Sequence, residues 1–268
     1  MRPSIFTWVM MLTIFVLACG PENTEKLAEK DETSPTTNPT LADVYQTWKA
    51  SRSDSLPTQS ITEAGKLYPV DEAPLDTTLF ILRESLREAV RNKDILPILE
   101  ALSPQCKVSF GGEGGVDGFI DIWGLESEEK TQSSPLWEAL GKVLSNGGTF
   151  SDQGNMFTAP YSFSNWPQSV DAFTHLLVDG AGVRLRKKPT LQSDVLATLS
   201  HDIVLLVENT NEKLTLDGET FPWVKVKTLN DDEGYVWGKY LISAIDYRAG
   251  FRKKQDNSWH ITFFLAGD

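Results

Sequence analysis

The sequence predicts an α+β protein: a helix-rich N-terminal region, then a small β-barrel, then a closing β-hairpin. Three observations predict it. Apolar residues recur at helical spacing between positions 76 and 147. From His175 onward the pattern changes to short apolar runs separated by turns. The tail, 246–268, alternates apolar and polar residues on both sides of a polar turn. The apolar period thus shifts from that of a helix to that of a strand along one chain.

The first helix starts at Asp76. Leu79, Leu82, Leu86, Ala89 and Val90 form its apolar stripe, with Arg83, Glu84, Arg87 and Glu88 between them. A second helix starts at Asp94, takes Pro97 in its first turn, and stops at Pro104. Lys107–Phe110 reads as a strand. The glycine-rich run Gly111–Gly118 departs from a phosphate-binding spacing, because Asp117 stands where the third Gly is needed. It reads as a tight loop. Phe119, Ile120, Ile122 and Trp123 then form a short apolar helix. Ser134-Pro135 opens another, with Leu136, Trp137, Leu140, Val143 and Leu144 as its buried stripe and Gly147 at its end. Phe157, Tyr161, Phe163 and Trp166 read as core aromatics.

Five short strands follow. They centre on Val183-Arg184-Leu185-Arg186 before Pro189, Val195-Leu196 with Leu199, Ile203–Val207, Trp223-Val224-Lys225-Val226, and Gly234-Tyr235-Val236-Trp237 running on to Tyr240-Leu241. A turn at Asp217-Gly218 divides the third from the fourth. This order resembles a bacterial SH3 (SH3b) domain over about residues 175–245, a quarter of the chain. Two departures stand out. Arg186 and two lysines fall between Arg184 and Pro189, and His201-Asp202 stands where the family often has Gly. The resemblance implies a barrel that binds a peptide, glycan or protein.

Alternation places Val224, Val226 and Val236 inside that barrel and Trp223, Lys225, Tyr235 and Trp237 outside. Trp223, Tyr235 and Trp237 are therefore the candidate ligand-binding residues. The competing expectation is that another segment covers them, and the tail is the candidate cover. Tyr247, Ala249, Phe251 and Lys253 share one face of its first strand, and Trp259, Ile261, Phe263 and Leu265 share one face of its second. Such a hairpin is unstable alone and must pack on the barrel or on the N-terminal region. The order of helices, strand, glycine-rich loop and late aromatic strand is also similar to small α+β cone folds of the NTF2 type. That likeness implies a discontinuous domain with the barrel inserted in it.

At the N-terminus, Arg2 precedes an apolar run from Ile5 to Ala18, which ends at Val16-Leu17-Ala18-Cys19-Gly20. The run is shorter than the ~20 residues of a spanning helix. It reads as an export signal. The motif resembles a bacterial lipoprotein signal, which implies cleavage before Cys19, acyl chains on Cys19, and anchorage in a membrane of the cell envelope. With Gly20 rather than Asp after the Cys, the resemblance implies the periplasmic face of the outer membrane in a two-membrane cell. The expected organisation is a signal over 1–18, a flexible acidic tether over 19–74, an α+β domain over 75–174, the barrel over 175–245 and the hairpin over 246–268.

The net charge of −12 argues against a nucleic-acid partner. No metalloprotease or serine-hydrolase motif is present, and no cofactor is expected. Cys106 reads as a small buried hydrophobe. The expectation is a non-catalytic, lipid-anchored envelope protein whose barrel binds a peptidoglycan peptide or a protein partner. Two alternatives stand beside it: an envelope enzyme using carboxylates such as Asp117 and Asp121, and a purely structural barrel.

Overall fold

The computed structural model describes Thr40, residues 43–47 and residues 56–267. The expected signal, Cys19 and the tether up to residue 55 lie outside the described residues, apart from Thr40 and a helical turn at 43–47. No helix among the described residues is long and apolar enough to cross a membrane. The architecture is α+β, with two sheets in two lobes and a short two-stranded ladder beside them.

The ladder consists of β1 (Thr62–Glu63) and β2 (Lys66–Leu67). Helix α1 (Thr77–Asn92) begins where the sequence places it, because the Asp76 carboxylate accepts from the Thr78 and Leu79 amides at 3.0 Å each. Lys93, with φ of 52°, ends it in the left-handed region. Helix α2 (Leu96–Ala101) follows, then β3 (Leu102–Lys107). The strand thus lies earlier than the expected Lys107–Phe110, and Pro104 sits inside it rather than stopping a helix. Pro104 is tolerated because β3 is an edge strand. Helix α3 (Gly115–Trp123) packs its N-terminus against β3. A Cβ on Gly115 would lie 2.7 Å from the Pro104 carbonyl, which explains the glycine there.

Helices α4 (Glu128–Ser133) and α5 (Leu136–Ser145) come next, and α5 buries the five residues of its predicted stripe. Strands β4 (Thr149–Ser151) and β5 (Met156–Ala159) and the single-turn α6 (Tyr161–Ser164) complete this region.

The second lobe contains β6 (His175–Val178), β7 (Ala181–Arg186), β8 (Val195–Ser200), β9 (Ile203–Leu216), β10 (Glu219–Lys227), β11 (Glu233–Trp237) and β12 (Leu241–Ser243). They form a curled, antiparallel half-barrel sheet of order β12-β6-β9-β10-β11-β7-β8. Asp217 and Gly218, with φ of 53° and 83°, make the tight turn of the long β9–β10 hairpin. His201 adopts φ of 58°, so a left-handed turn is kept without a glycine.

The tail forms β13 (Arg248–Lys253) and β14 (Trp259–Leu265). It does not cover the half-barrel. It completes the first lobe's sheet, whose order is β3-β14-β13-β5-β4. Strand β13 pairs antiparallel with β5, and β14 pairs parallel with β3. The half-barrel is therefore an insertion between β5 and β13 of one sheet. A register shift between Gly250 and Phe251 turns Phe264, rather than Phe263, into the core. Phe263 instead covers Gly250, where a Cβ would lie 2.1 Å from its ring.

The first lobe's core is aromatic. Trp123 stacks on Phe264 at 5.3 Å, and Phe157, Phe251 and Trp259 fill the space beneath α1 and α5. The half-barrel core is aliphatic, with Val183, Leu185, Val224, Val226 and Val236 at its centre. A third cluster, including Leu67, Val70, Tyr161, Leu177 and Ile203, joins the lobes.

That cluster corrects the expected tether. Residues 56–74 are part of the folded body, with Leu67, Val70 and Ala73 buried. The Ile203 amide donates to the Gly65 carbonyl at 2.8 Å, and the Glu72 amide to the Gly148 carbonyl at 2.9 Å. The segment carries few apolar residues and no period, so its order comes from partners distant in sequence.

Candidate binding groove

The half-barrel has a groove of about 260 Å³. Leu191, Leu216 and Tyr240 form its open walls, with exposures of 40%, 39% and 37%. Trp223 from β10 and Trp237 from β11 lie opposite each other in the ladder and form its floor. Arg184 and Arg186 enter from β7.

Alternation on β10 and β11 proceeds as expected: Val224, Val226 and Val236 face the core. Trp223 and Trp237 do face the other way, but they are not open. They are only 2% and 5% exposed. The cover is local. The long β9–β10 hairpin folds over them, and the Trp237 Nε1 donates to the Leu214 and Phe221 carbonyls at 3.2 Å each. Phe221 and Tyr240 meet the Trp237 ring edge-on, both at 5.7 Å. Lys239 sits over the same ring and is held there by Glu219. Tyr235 is half-buried, pairs with Arg186 across the β11–β7 ladder, and is not among the residues lining the groove.

Sequence reasoning missed Arg184, Arg186, Leu191, Leu216 and Tyr240. A usable signal was present for the arginines: two of them two apart on one strand project to one side. The leucines come from a loop and a hairpin tip, and only the fold brings them here.

A second group meets where the lobes join. Asp179, Tyr161 and His201 lie close enough to influence one another's charge. Burial pushes the Asp179 carboxyl up, an effect opposed by His201 and Lys142. Burial pushes His201 down, opposed mainly by Asp179. Burial also pushes the Tyr161 phenol up, and its hydroxyl has no hydrogen-bond partner among the described residues. Tyr68 packs on the His201 ring at 5.5 Å. A 240 Å³ cavity lies nearby between α5 and the β12–β13 connection, where Lys142 and Asp246 stand 3.6 Å apart.

The carboxylates of the enzyme alternative, Asp117 and Asp121, are both exposed on α3 and line neither the groove nor this cavity. Among the described residues no group of three or more His, Cys, Asp or Glu is placed to hold a metal ion. Cys106 is fully buried, and burial pushes its thiol up to about 11, the opposite of what a nucleophile requires.

No protein-family model, no curated protein and no solved structure matches the chain.

Proposed function

We propose that this is a lipid-anchored protein of the cell envelope, held through Cys19, whose half-barrel is an SH3b-type module that binds a peptide of the wall. The reading is non-catalytic. The observation that carries it is the groove itself: two indole rings fixed as a floor, with exposed tyrosine and leucine walls above. Rigid aromatic surface beside exposed apolar side chains is what a peptide-binding site requires. The lipobox-like Val16–Cys19 segment supports the anchorage.

The test is co-sedimentation of the detergent-solubilised chain with insoluble peptidoglycan, compared with Tyr240→Ala. Tyr240 is partly exposed, so this change removes groove surface without opening the core. Sedimentation that Tyr240→Ala abolishes supports the reading. Absence of sedimentation by the wild type overturns the wall-peptide version. Anchorage is tested separately: Cys19→Ser is expected to abolish incorporation of labelled fatty acid.

The purely structural barrel remains the second reading, and the near-complete burial of Trp223 and Trp237 favours it. On that reading Tyr240→Ala changes no binding at all.

A further inference from the structure

The chain carries 37 acidic and 25 basic side chains, yet among the described residues the groove is lined by two arginines and no acid. Arg186 is 8% exposed. Its guanidinium makes one hydrogen bond among the described residues, from Nη1 to the Ser193 carbonyl at 2.9 Å, and no ion pair. Asp194, eight residues on in the sequence, lines a separate cleft with Lys187 and Lys188. Among the described residues none of the Arg186 nitrogens is both buried and unpartnered, so the rest of the guanidinium keeps contact with the water of the groove and faces it without a counter-charge.

Arg83 shows how this chain pairs the fork of a buried arginine, although its Nε is left without a partner among the described residues. It is 1% exposed, and its Nη1 and Nη2 donate to the two oxygens of Asp71 at 2.6 and 2.7 Å. Arg186 has no equivalent of Asp71. The rest of its planar fork borders the groove, and Arg184 lies two residues away on the same side of β7, exposed and with no ion pair among the described residues.

We propose, building on the peptide-binding reading of this groove, that Arg186 and Arg184 recognise a carboxylate, so that the groove takes a peptide presenting a free carboxylate beside an apolar side chain. The carboxylate takes the fork of Arg186, as Asp71 takes that of Arg83. The neighbouring side chain lies on the Tyr240 ring and against Leu191 and Leu216, the exposed walls of the groove. A polyanion is disfavoured by the chain's net charge of −12, whereas one carboxylate delivered on an apolar group is not.

The experiment is calorimetric titration of the full chain in detergent micelles with acetyl-Gly-Ala-Leu and with its C-terminal carboxamide. The free acid is expected to bind about tenfold more tightly, the ratio a charge-assisted hydrogen bond supplies. Arg186→Lys keeps the charge but loses the fork, and Arg184→Gln alters an exposed side chain only. Both are expected to bring the ratio towards one, while Tyr240→Ala weakens acid and amide alike. Equal binding of acid and amide by the wild type overturns the carboxylate inference and leaves the peptide-binding reading standing. Absence of binding by both peptides at millimolar concentration also overturns the inference. Wall sedimentation then decides separately whether the underlying reading survives.

Discussion

The two lobes solve the problem of closing a sheet in opposite ways. The first lobe's core is built from large aromatic side chains, and its sheet is complete only when the last strands of the chain arrive. The half-barrel takes seven strands consecutive in sequence and a core of mostly valine and leucine. Its tryptophans are displaced to the outer side, where a long hairpin covers them and a groove remains. The closed lobe depends on distant contacts. The locally built lobe keeps its tryptophans out of its own core and needs a hairpin to cover them. On the proposed reading the half-barrel is the binding lobe and the first lobe its frame, and the difference between the cores is what that reading has to explain.

Removal of residues 246–268 is the severest way to break the comparison. It takes the two strands between β3 and β5 out of the five-stranded sheet. The cooperative thermal transition of the first lobe is expected to disappear in calorimetry. A transition that survives this truncation would show that the half-barrel and not the tail supports that lobe.

Single-residue changes come next. Phe251→Ala opens a fully buried aromatic site and is expected to lower stability by about 3–5 kcal/mol in urea unfolding. Asp71→Ala leaves the buried Arg83 charge with only the longer Glu84 contact at 3.9 Å among the described residues and is expected to lower it by about 3 kcal/mol. The matching change in the smaller core, Val226→Ala, removes two methyl groups and is expected to cost about 2 kcal/mol. An equal loss at Phe251 and Val226 would contradict the contrast drawn between the cores.

A finer contrast is pH. Burial alone would raise the Asp76 carboxyl, but the Lys253 ammonium, the Thr78 hydroxyl and the Leu79 amide outweigh it and hold the group at about 2. A depressed carboxyl adds stability above its unfolded value of 3.8, and that stability is lost as pH falls towards 2. Because Lys253 lies on β13, acid weakens the junction of α1 with the tail. Asp76→Asn is expected to flatten the acid limb of the unfolding curve between about pH 4 and 2. The smallest expected change in stability is at the groove. Tyr240→Ala removes the edge-on contact with Trp237 and is expected to cost about 1 kcal/mol while weakening ligand binding.

Much of the local structure was legible. The stripe of α5, the start of α1 at Asp76, the Asp217-Gly218 turn and the inward valines of β10 and β11 all rest on interactions within a few residues. Arg83 was not legible as a core residue. It falls on the charged side of the α1 pattern, and only Asp71, brought in from the preceding segment, makes its burial tolerable. Strands β4 and β5 were missed because aromatic and polar residues alternate poorly over such short spans. At the groove, the residues on regular strands could be anticipated. Tyr240, Leu191 and Leu216 could not, because each follows or ends a strand and its direction depends on how the hairpin folds back.

The sequence by itself determined the kinds of elements, their caps and turns, and which side of each strand is apolar. These follow from backbone geometry and side-chain period, which act over one or two turns of chain. Tertiary structure alone decided that the tail completes the first lobe's sheet, that residues 56–74 join the two lobes, and that Trp223 and Trp237 are covered. In each case an apolar face or a row of backbone donors had to be satisfied. Several partners suited it locally, and only the assembled chain brought one of them within reach.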